Sequence, residues 1–364
     1  MKFIVAQKDL IYAINILSKA ISTRTTIDVL KGFYIETEEN HIVMKSNDLN
    51  FSIVIKIPAH IKEKGNALVE SSLISDIVRK LPDDAISIET DGESLYVICG
   101  ESNYRLSLMD SETFPQIPEV DGLKKTVINQ AVFSNMIKMT NFAVSKDEKS
   151  PILTGSLINI KDKIIEMVSV GGFTIAVDRA NVKESDEIRV VIPGRILNEI
   201  QKIISYNVDD DIEIFVGDKY ALFKFDNVKI ISKLLEGNYV NYEQIINLKQ
   251  EIVCKINTKE MYRALDRVSL LANKSKEHTV IFEFEDDKLT VSADTFLGSA
   301  VEKISSFKNG KNIRIGFNPN FILKALRNIE REEILVGMNN PLSPCSIKPT
   351  DDDDFCYFFS PVRI

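Results

Sequence analysis

One pattern of helix, strands, helix, strands and a charged turn occurs three times in the 364 residues, and no other feature restricts the fold as much. Each copy opens with an amphipathic segment that follows a short apolar strand: FIVAQKDLIYAINILSKAIS from Phe3, TVINQAVFSNMIKMTNFAVS from Thr126 and CKINTKEMYRALDRVSLLAN from Cys254. Leu10, Phe133 and Met261 hold equivalent places, 123 and 128 residues apart. A second helix, again after a short strand, follows in each copy: ALVESSLISDIVRKL, IRVVIPGRILNEIQKI and IRIGFNPNFILKALRNI, where Leu73, Ile196 and Phe321 correspond. Two independent landmarks sharing a period of about 125 residues imply repeated domains, since solenoid units recur every 20 to 50 residues. The reading is three domains of one fold, 1–122, 123–249 and 250–364.

Between the helices lie stretches in which apolar and polar residues alternate around turn residues. Gly32 to Ile57 is the clearest, with Glu39-Asn40 and Asn47-Asp48 as turns, and the same texture returns at Gly155 to Asp178 and Val280 to Ile304. Alternation with β-branched enrichment is the signature of half-buried strands. Ser94 to Met109, Lys219 to Leu235 and Ser343 to Val362 add a hairpin at the end of each copy. Each domain is therefore mostly antiparallel sheet plus two helices, an α+β arrangement. Glu236 to Glu251, polar and turn-rich, reads as a linker between the second and third copies.

Composition excludes several classes. No stretch approaches the roughly 18 to 20 apolar residues of a membrane span. The first seven residues run into Lys8 and Asp9 and lack the apolar core of a secretory leader. Cys99, Cys254, Cys345 and Cys356 are scattered with no CxxC pair, which points to small core residues in a reducing, cytoplasmic setting. His41, His60 and His278 stand apart, with no HExxH. The runs Asp209 to Asp211 and Asp351 to Asp354 are contiguous, whereas metal sites gather ligands from separated positions; no metal, cofactor or catalytic residue is expected.

Charge is unevenly divided. With the helices taken as 8–24, 72–80, 131–149, 194–203, 258–276 and 318–331, they hold 18 basic and 8 acidic residues, leaving 27 basic and 45 acidic elsewhere in a chain of net charge −8. Lysine-rich helix faces are common and need no partner. The sharper reading puts all the helices on one surface before a polyanion such as duplex DNA, which carries a charge every 1.7 Å or so. Three like domains in an arc, closed by a two-fold copy, make a ring with helices inside.

At this point the residues resemble a known family. MKF at the start, SNDLNFSI (46–53), VRKLPDD (78–84), PILTGSLI (151–158), SKLLEGNYVNY (232–242), IGFNPNFILKAL (315–326) and YFFSPVRI (357–364) occur in the order of the β subunit of bacterial DNA polymerase III, the sliding-clamp family. The resemblance covers the whole length and implies a ring-shaped homodimer that encircles duplex DNA without reading sequence. Its implied partners are the replicative polymerase, the clamp loader and repair proteins carrying clamp-binding motifs, and it implies no catalysis.

The resemblance also implies three sites. Backbone contacts to DNA fall on Arg24, Arg79, Lys80, Lys146, Lys149, Arg195 and Lys202; such contacts position the duplex without specifying it. An apolar cleft for a short linear motif falls at the junction of the second and third domains with the chain terminus. Its positions are Leu153, Val170, Gly172, Phe173, Thr174 and Ile175, with Val240, Tyr242, Ile245, Phe358, Ser360 and Val362. Aliphatic and aromatic lining suits a peptide anchored by one or two large side chains.

The subunit interface falls on the strands Asn103 to Met109 and Gly298 to Ile304, with Leu106, Leu270 and Leu271 as its apolar centre and Arg105 facing Glu302 to set register. The chain departs from the family at Gly171 to Thr174, where an Asp-x-His-Arg run is usual, at Val240, usually proline, and at Ser360, usually Met or a similar apolar residue. Asp28-Val29 replaces the usual Pro-Ile before Leu30. The departures in the cleft imply a different peptide preference or a diverged scaffold paralogue, whereas Asp28-Val29 bears only on local loop geometry. The enzyme alternative, a metal-dependent nuclease, would use the two aspartate runs.

Overall fold

The computed structural model describes residues 1–22, 25–120, 124–204, 210–351 and 354–364. Seven helices appear among them: α1 (Gln7–Leu17), α2 (Ser71–Lys80), α3 (Gln130–Thr140), α4 (Gly194–Ile203), α5 (Glu243–Ile246), α6 (Thr258–Ala272) and α7 (Pro319–Leu326). The first helix of each repeat follows directly on a strand. Asn129 accepts the Val132 N–H at 3.1 Å and Asn257 accepts the Glu260 N–H at 3.1 Å, satisfying donors that a helix start leaves open. Ala6 takes that place in the first repeat, and α1 starts without a side-chain cap. At α2, Glu70 accepts from Ser72 and Leu73; at α7, Asn318 caps and Pro319 opens the helix.

Both landmark sets are in register, with one shift. Leu10, Phe133 and Met261 are all buried. In the second helices the shared core position lies one residue beyond the landmark: Ile74, Leu197 and Ile322 are all buried, whereas Leu73 is 50% exposed. The alternating stretches are hairpins as expected, among them Gly32–Thr37, His41–Asn47 and Phe51–Pro58 in the first repeat and Gly155–Lys161, Ile164–Gly171 and Thr174–Asn181 in the second. All four cysteines are buried and free.

Contacts group the chain into two compact units. One holds Met1–Val127 and the strands from Asp211 to Lys233; the other holds Ile128–Gln201 and Leu235–Ile364. In the first unit the strand order is Asp211–Val216, Tyr220–Phe225, Val228–Lys233, Phe51–Pro58, His41–Asn47, Gly32–Thr37, Asn66–Glu70, Ser102–Met109, Ser94–Cys99, Ala85–Asp91, Lys2–Ala6, His60–Glu63. The second-repeat strand Val228–Lys233 thus pairs antiparallel with the first-repeat strand Phe51–Pro58, placing Val228 opposite Ile55.

In the second unit the order is Ile188–Pro193, Gly155–Lys161, Ile164–Gly171, Thr174–Asn181, Phe355–Phe359, Cys345–Pro349, Glu333–Met338, Ile252–Asn257, Gly298–Asn309, Lys288–Thr295, Val280–Phe284, Ile313–Phe317. Here the second repeat pairs with the third, Ile175 opposite Phe358. Neighbouring repeats therefore share sheets, and edges that a lone domain would leave open are paired.

Two sequence expectations fail. The first helix of the second repeat was expected to run through 149, but α3 stops at Thr140, followed by a 3-10 turn at Asn141–Ala143. The cause is a tertiary contact: the Asn141 side chain donates to the Gly194 carbonyl and to Asn198 Oδ1, both at 2.8 Å, which turns the chain towards α4. The supposed linker at Glu236 to Glu251 is tied down. The Tyr239 hydroxyl donates to the Val168 carbonyl at 3.1 Å, and Tyr242, buried, donates to Glu166 before α5 begins.

Candidate partner cleft, basic positions and strand edges

The expected cleft residues lie in the second unit, where the hairpin Ile164–Gly171/Thr174–Asn181 meets the chain terminus. Gly171 pairs with Thr174, so Gly172 and Phe173 form the turn. Gly171 is dictated by space: a Cβ there would lie 2.5 Å from the Ala143 carbonyl oxygen. The terminal strand continues the sheet, and beyond it the Ser360 N–H donates to the Phe173 carbonyl at 2.9 Å and the Val362 N–H to the Gly316 carbonyl at 2.8 Å.

Five of the expected residues fall in one apolar cluster: Ile175, Tyr242 and Phe358 are in its core, with Val170 and Ile245 packed against them. Four others, Leu153, Gly172, Phe173 and Thr174, line an adjoining pocket of about 420 Å³. Val240 is exposed on the tethered segment, and Ser360 is exposed beside Phe173.

Glu166, which the sequence did not single out, holds this wall together. Its carboxylate accepts from Arg179 Nε at 2.7 Å and from the guanidinium again at 2.6 Å, while also accepting the Tyr242 hydroxyl. Burial, then the neighbouring Glu166, pushes the Tyr242 phenol well above its ordinary value, so it stays a donor. Glu166 and Arg179 are directly opposite on adjacent strands. That cross-strand pairing was legible only once the register was known.

The pocket also contains residues assigned elsewhere by sequence. Phe321 stacks at a tilt on Phe173 with ring centroids 5.8 Å apart, and Lys324 of α7 lies beside it. Lys146, expected on a helix facing DNA, lines the same pocket because α3 ends six residues earlier. Lys149 is likewise on a loop and exposed.

Of the other basic candidates, Arg24 lies outside the described residues. Arg79 and Lys80 are exposed in the last turn of α2, where positive charge suits the helix end; the Arg79 guanidinium donates to Asn15 at 3.1 Å. Arg195 and Lys202 are exposed on α4, seven residues apart and so on one face. In the aspartate runs, Asp209, Asp352 and Asp353 lie outside the described residues, and Asp354 faces Arg331 at 3.6 Å.

Apart from the strands that end each sheet, two strands inside the strand orders have a partly open edge among the described residues. Ser102–Met109 pairs along one side with Ser94–Cys99, but on the other only Leu108 and Met109 are engaged. Gly298–Asn309 pairs through 298–305 with Lys288–Thr295, and its other side is engaged only from Ser306 onward. The interface details expected there need correction. Leu106 points inward, at 6% exposure, because strand alternation turns residues 105 and 107 out instead.

Glu302 does not await Arg105: it is bound within the chain by Arg267 of α6, Nε and Nη2 at 2.7 and 2.8 Å, and Arg105 donates to Ser94 Oγ at 2.8 Å. Leu270 is 69% exposed on α6 and Leu271 half-buried beside it; exposed Val301 and Phe307 on the Gly298–Asn309 strand were missed by sequence.

Three like α+β domains that share their antiparallel sheets define a clamp-type repeat scaffold. Comparison with known proteins agrees domain by domain. Residues 1–118, 127–241 and 243–363 match the N-terminal, central and C-terminal domains described for the DNA polymerase III beta subunit. The chain is 31% identical to a beta sliding clamp of Staphylococcus epidermidis, covering 100% of this chain and 99% of that protein. Its structure resembles a putative DNA polymerase III beta subunit of Eubacterium rectale (TM-score 0.96, 33% identity, all of both chains) and the DNA polymerase sliding clamp of Bacillus subtilis (TM-score 0.97, 28% identity, 100% and 99% covered). The chain belongs to the DNA polymerase III beta-subunit family.

Proposed function

We propose that this chain is a DNA sliding clamp: a homodimeric ring that encircles duplex DNA and tethers the replicative polymerase, the clamp loader and repair proteins through the cleft that includes exposed Phe173 and Val240. It contributes no catalytic group and works in the cytoplasm. The observation that carries the reading is the pair of half-open strand edges, one in the first repeat and one in the third. A second copy that adds its third-repeat edge to the first-repeat edge of this chain, and the reverse, pairs both edges at once. The domain boundaries belonging to this reading lie near 122 and 249. Arg79, Lys80, Arg195 and Lys202 then touch phosphates, with Leu270 and Leu271 in the closing interface.

Retention in such a ring is topological, so the net charge of −8 is no obstacle. The test loads the protein onto nicked circular DNA with a clamp loader and then linearises the circle. A ring slides off the ends; a protein that stays at equal salt is a groove binder, and the proposal fails. A chain that binds partner peptides but is never retained on circles is instead a scaffold paralogue, the reading that the altered run Gly171 to Thr174 favours.

A further inference from the structure

We propose that the outward sheet face of the third repeat is a second docking surface, separate from the partner cleft, for an acidic segment of a partner protein that carries one large apolar side chain. Four adjacent strands place Phe307, Lys255, Leu335 and Lys348 directly opposite one another. Their neighbours along the strands, Cys254, Ile256, Ile334, Val336 and Ile347, are buried, so strand alternation turns the row away from the core. Over three strand spacings it forms an apolar and basic stripe about 14 Å long. Phe307 is 74% exposed and lies outside the half-open stretch 298–305.

The stripe meets a groove of about 390 Å³ between the sheet and residues 246–250. Half-buried Val253 and Leu335 face it from the sheet, and exposed Leu248 faces it from the segment. That segment is fastened at its end: Asn339 Nδ2 donates to the Lys249 carbonyl at 2.8 Å, and Asn339 Oδ1 accepts the Glu251 N–H at 2.7 Å. Gln250 packs over Gly337, where a Cβ would come 2.7 Å from Gln250 Cγ. The groove is therefore formed in advance, which spares a ligand the cost of ordering it.

Charge selects the occupant. The lining holds Lys249 and Lys348 and no acidic residue, and neither lysine has an ion-pair partner among the described residues. Lys255, on the stripe, is held by Glu333. In a chain of net charge −8, a recess of positive sign beside exposed Leu248 and Phe307 fits an acidic segment, its apolar anchor on Val253 and Leu335 and its carboxylates on the two lysines.

The test titrates three fluorescein-labelled peptides into the full chain by fluorescence polarisation, with and without Val240→Asp to close the cleft. They are Glu-Asp-Glu-Phe-Glu-Asp, its neutral twin Gln-Asn-Gln-Phe-Gln-Asn and its anchorless twin Glu-Asp-Glu-Ala-Glu-Asp. At low salt the acidic peptide binds about fivefold tighter than the neutral twin, the sum expected of two exposed ion pairs, and about tenfold tighter than the anchorless one. Val240→Asp leaves both ratios unchanged. Lys249→Gln, on the exposed segment, lowers the first ratio to about twofold. Lys249→Glu with Lys348→Glu reverses it and keeps the neutral twin's affinity, which also shows that the variant folds.

Acidic and neutral peptides that bind alike, or an acidic preference that survives both lysine changes, overturn the proposal. Binding lost on Val240→Asp assigns the peptide to the cleft and overturns it too, as does no binding at all. An oligothymidylate that displaces the acidic peptide and binds more tightly, with the same dependence on the two lysines, makes this face a single-strand site and equally overturns it.

Discussion

Gly171 and Gly172 are adjacent and look interchangeable, yet the backbone separates them. A methyl group on Gly171 meets the Ala143 carbonyl oxygen at 2.5 Å, and that oxygen belongs to a 3-10 turn that cannot swing aside; Gly172 has nothing within 4 Å and a backbone that any residue adopts. Gly171→Ala should lose about 1–3 kcal/mol in urea unfolding, as forced overpacking does, while Gly172→Ala should be near neutral. Equal losses would show that the hairpin, not the contact, needs glycine.

Tyr242→Phe deletes one hydrogen bond and leaves Glu166 with Arg179, so a loss of about 1–2 kcal/mol is expected. Faster amide exchange should appear at 243–247, where α5 loses its tether. At Glu302 the hydrogen bond from Arg267 holds the carboxyl below its ordinary value. A lowered folded pKa lends stability above the unfolded value and loses it as pH falls through the folded one. Glu302→Gln should therefore be less stable than the parent at pH 7, and the gap should close in acid.

At the scale of elements, local apolar periodicity made the repeats visible, because a helix such as α6 announces itself through Met261, Leu265, Val268 and Ala272 on one face. The end of α3 was not visible in the same way, since it depends on Asn141 reaching Gly194, 53 positions away. Sheet sharing was equally hidden: the edge of Val228–Lys233 could have paired with any strand of the right length, and the register with Phe51–Pro58 is a tertiary choice. Leu106 was misjudged because its face of the strand follows from the pairing with Ser94–Cys99, and Glu302 because its partner sits on a helix 35 residues back.

What remains at the third repeat's half-open edge is the backbone of 298–305, with Val301 60% exposed on that strand and Leu270 69% exposed on α6. Leu270→Glu puts a charge at the proposed contact without touching the core. It should weaken dimerisation by at least about tenfold in sedimentation, as a lost apolar hot spot does, with unchanged thermal unfolding of the monomer. An unshifted dimer equilibrium would place the interface elsewhere.

For the whole molecule, the proposed ring separates two quantities that merge in an ordinary DNA-binding protein, affinity and residence. In that ring, the proposed phosphate contacts from Arg79, Lys80, Arg195 and Lys202 would set affinity and how steeply it falls with salt, each contact contributing about 0.9 to the slope of log affinity against log salt. Closure sets residence, which has no such dependence. The fourfold alanine variant at these positions should bind linear duplex more weakly, with a slope shallower by about 3 to 4. Once loaded on a circle it should persist nearly as long as the parent, because the interface around Leu270 is intact. Fluorescence measurements on linear duplex over 50 to 200 mM salt, set beside dissociation from circular DNA, check both halves. A variant that loses residence in proportion to affinity is held by its charges, and the ring would then not be what keeps this chain on DNA.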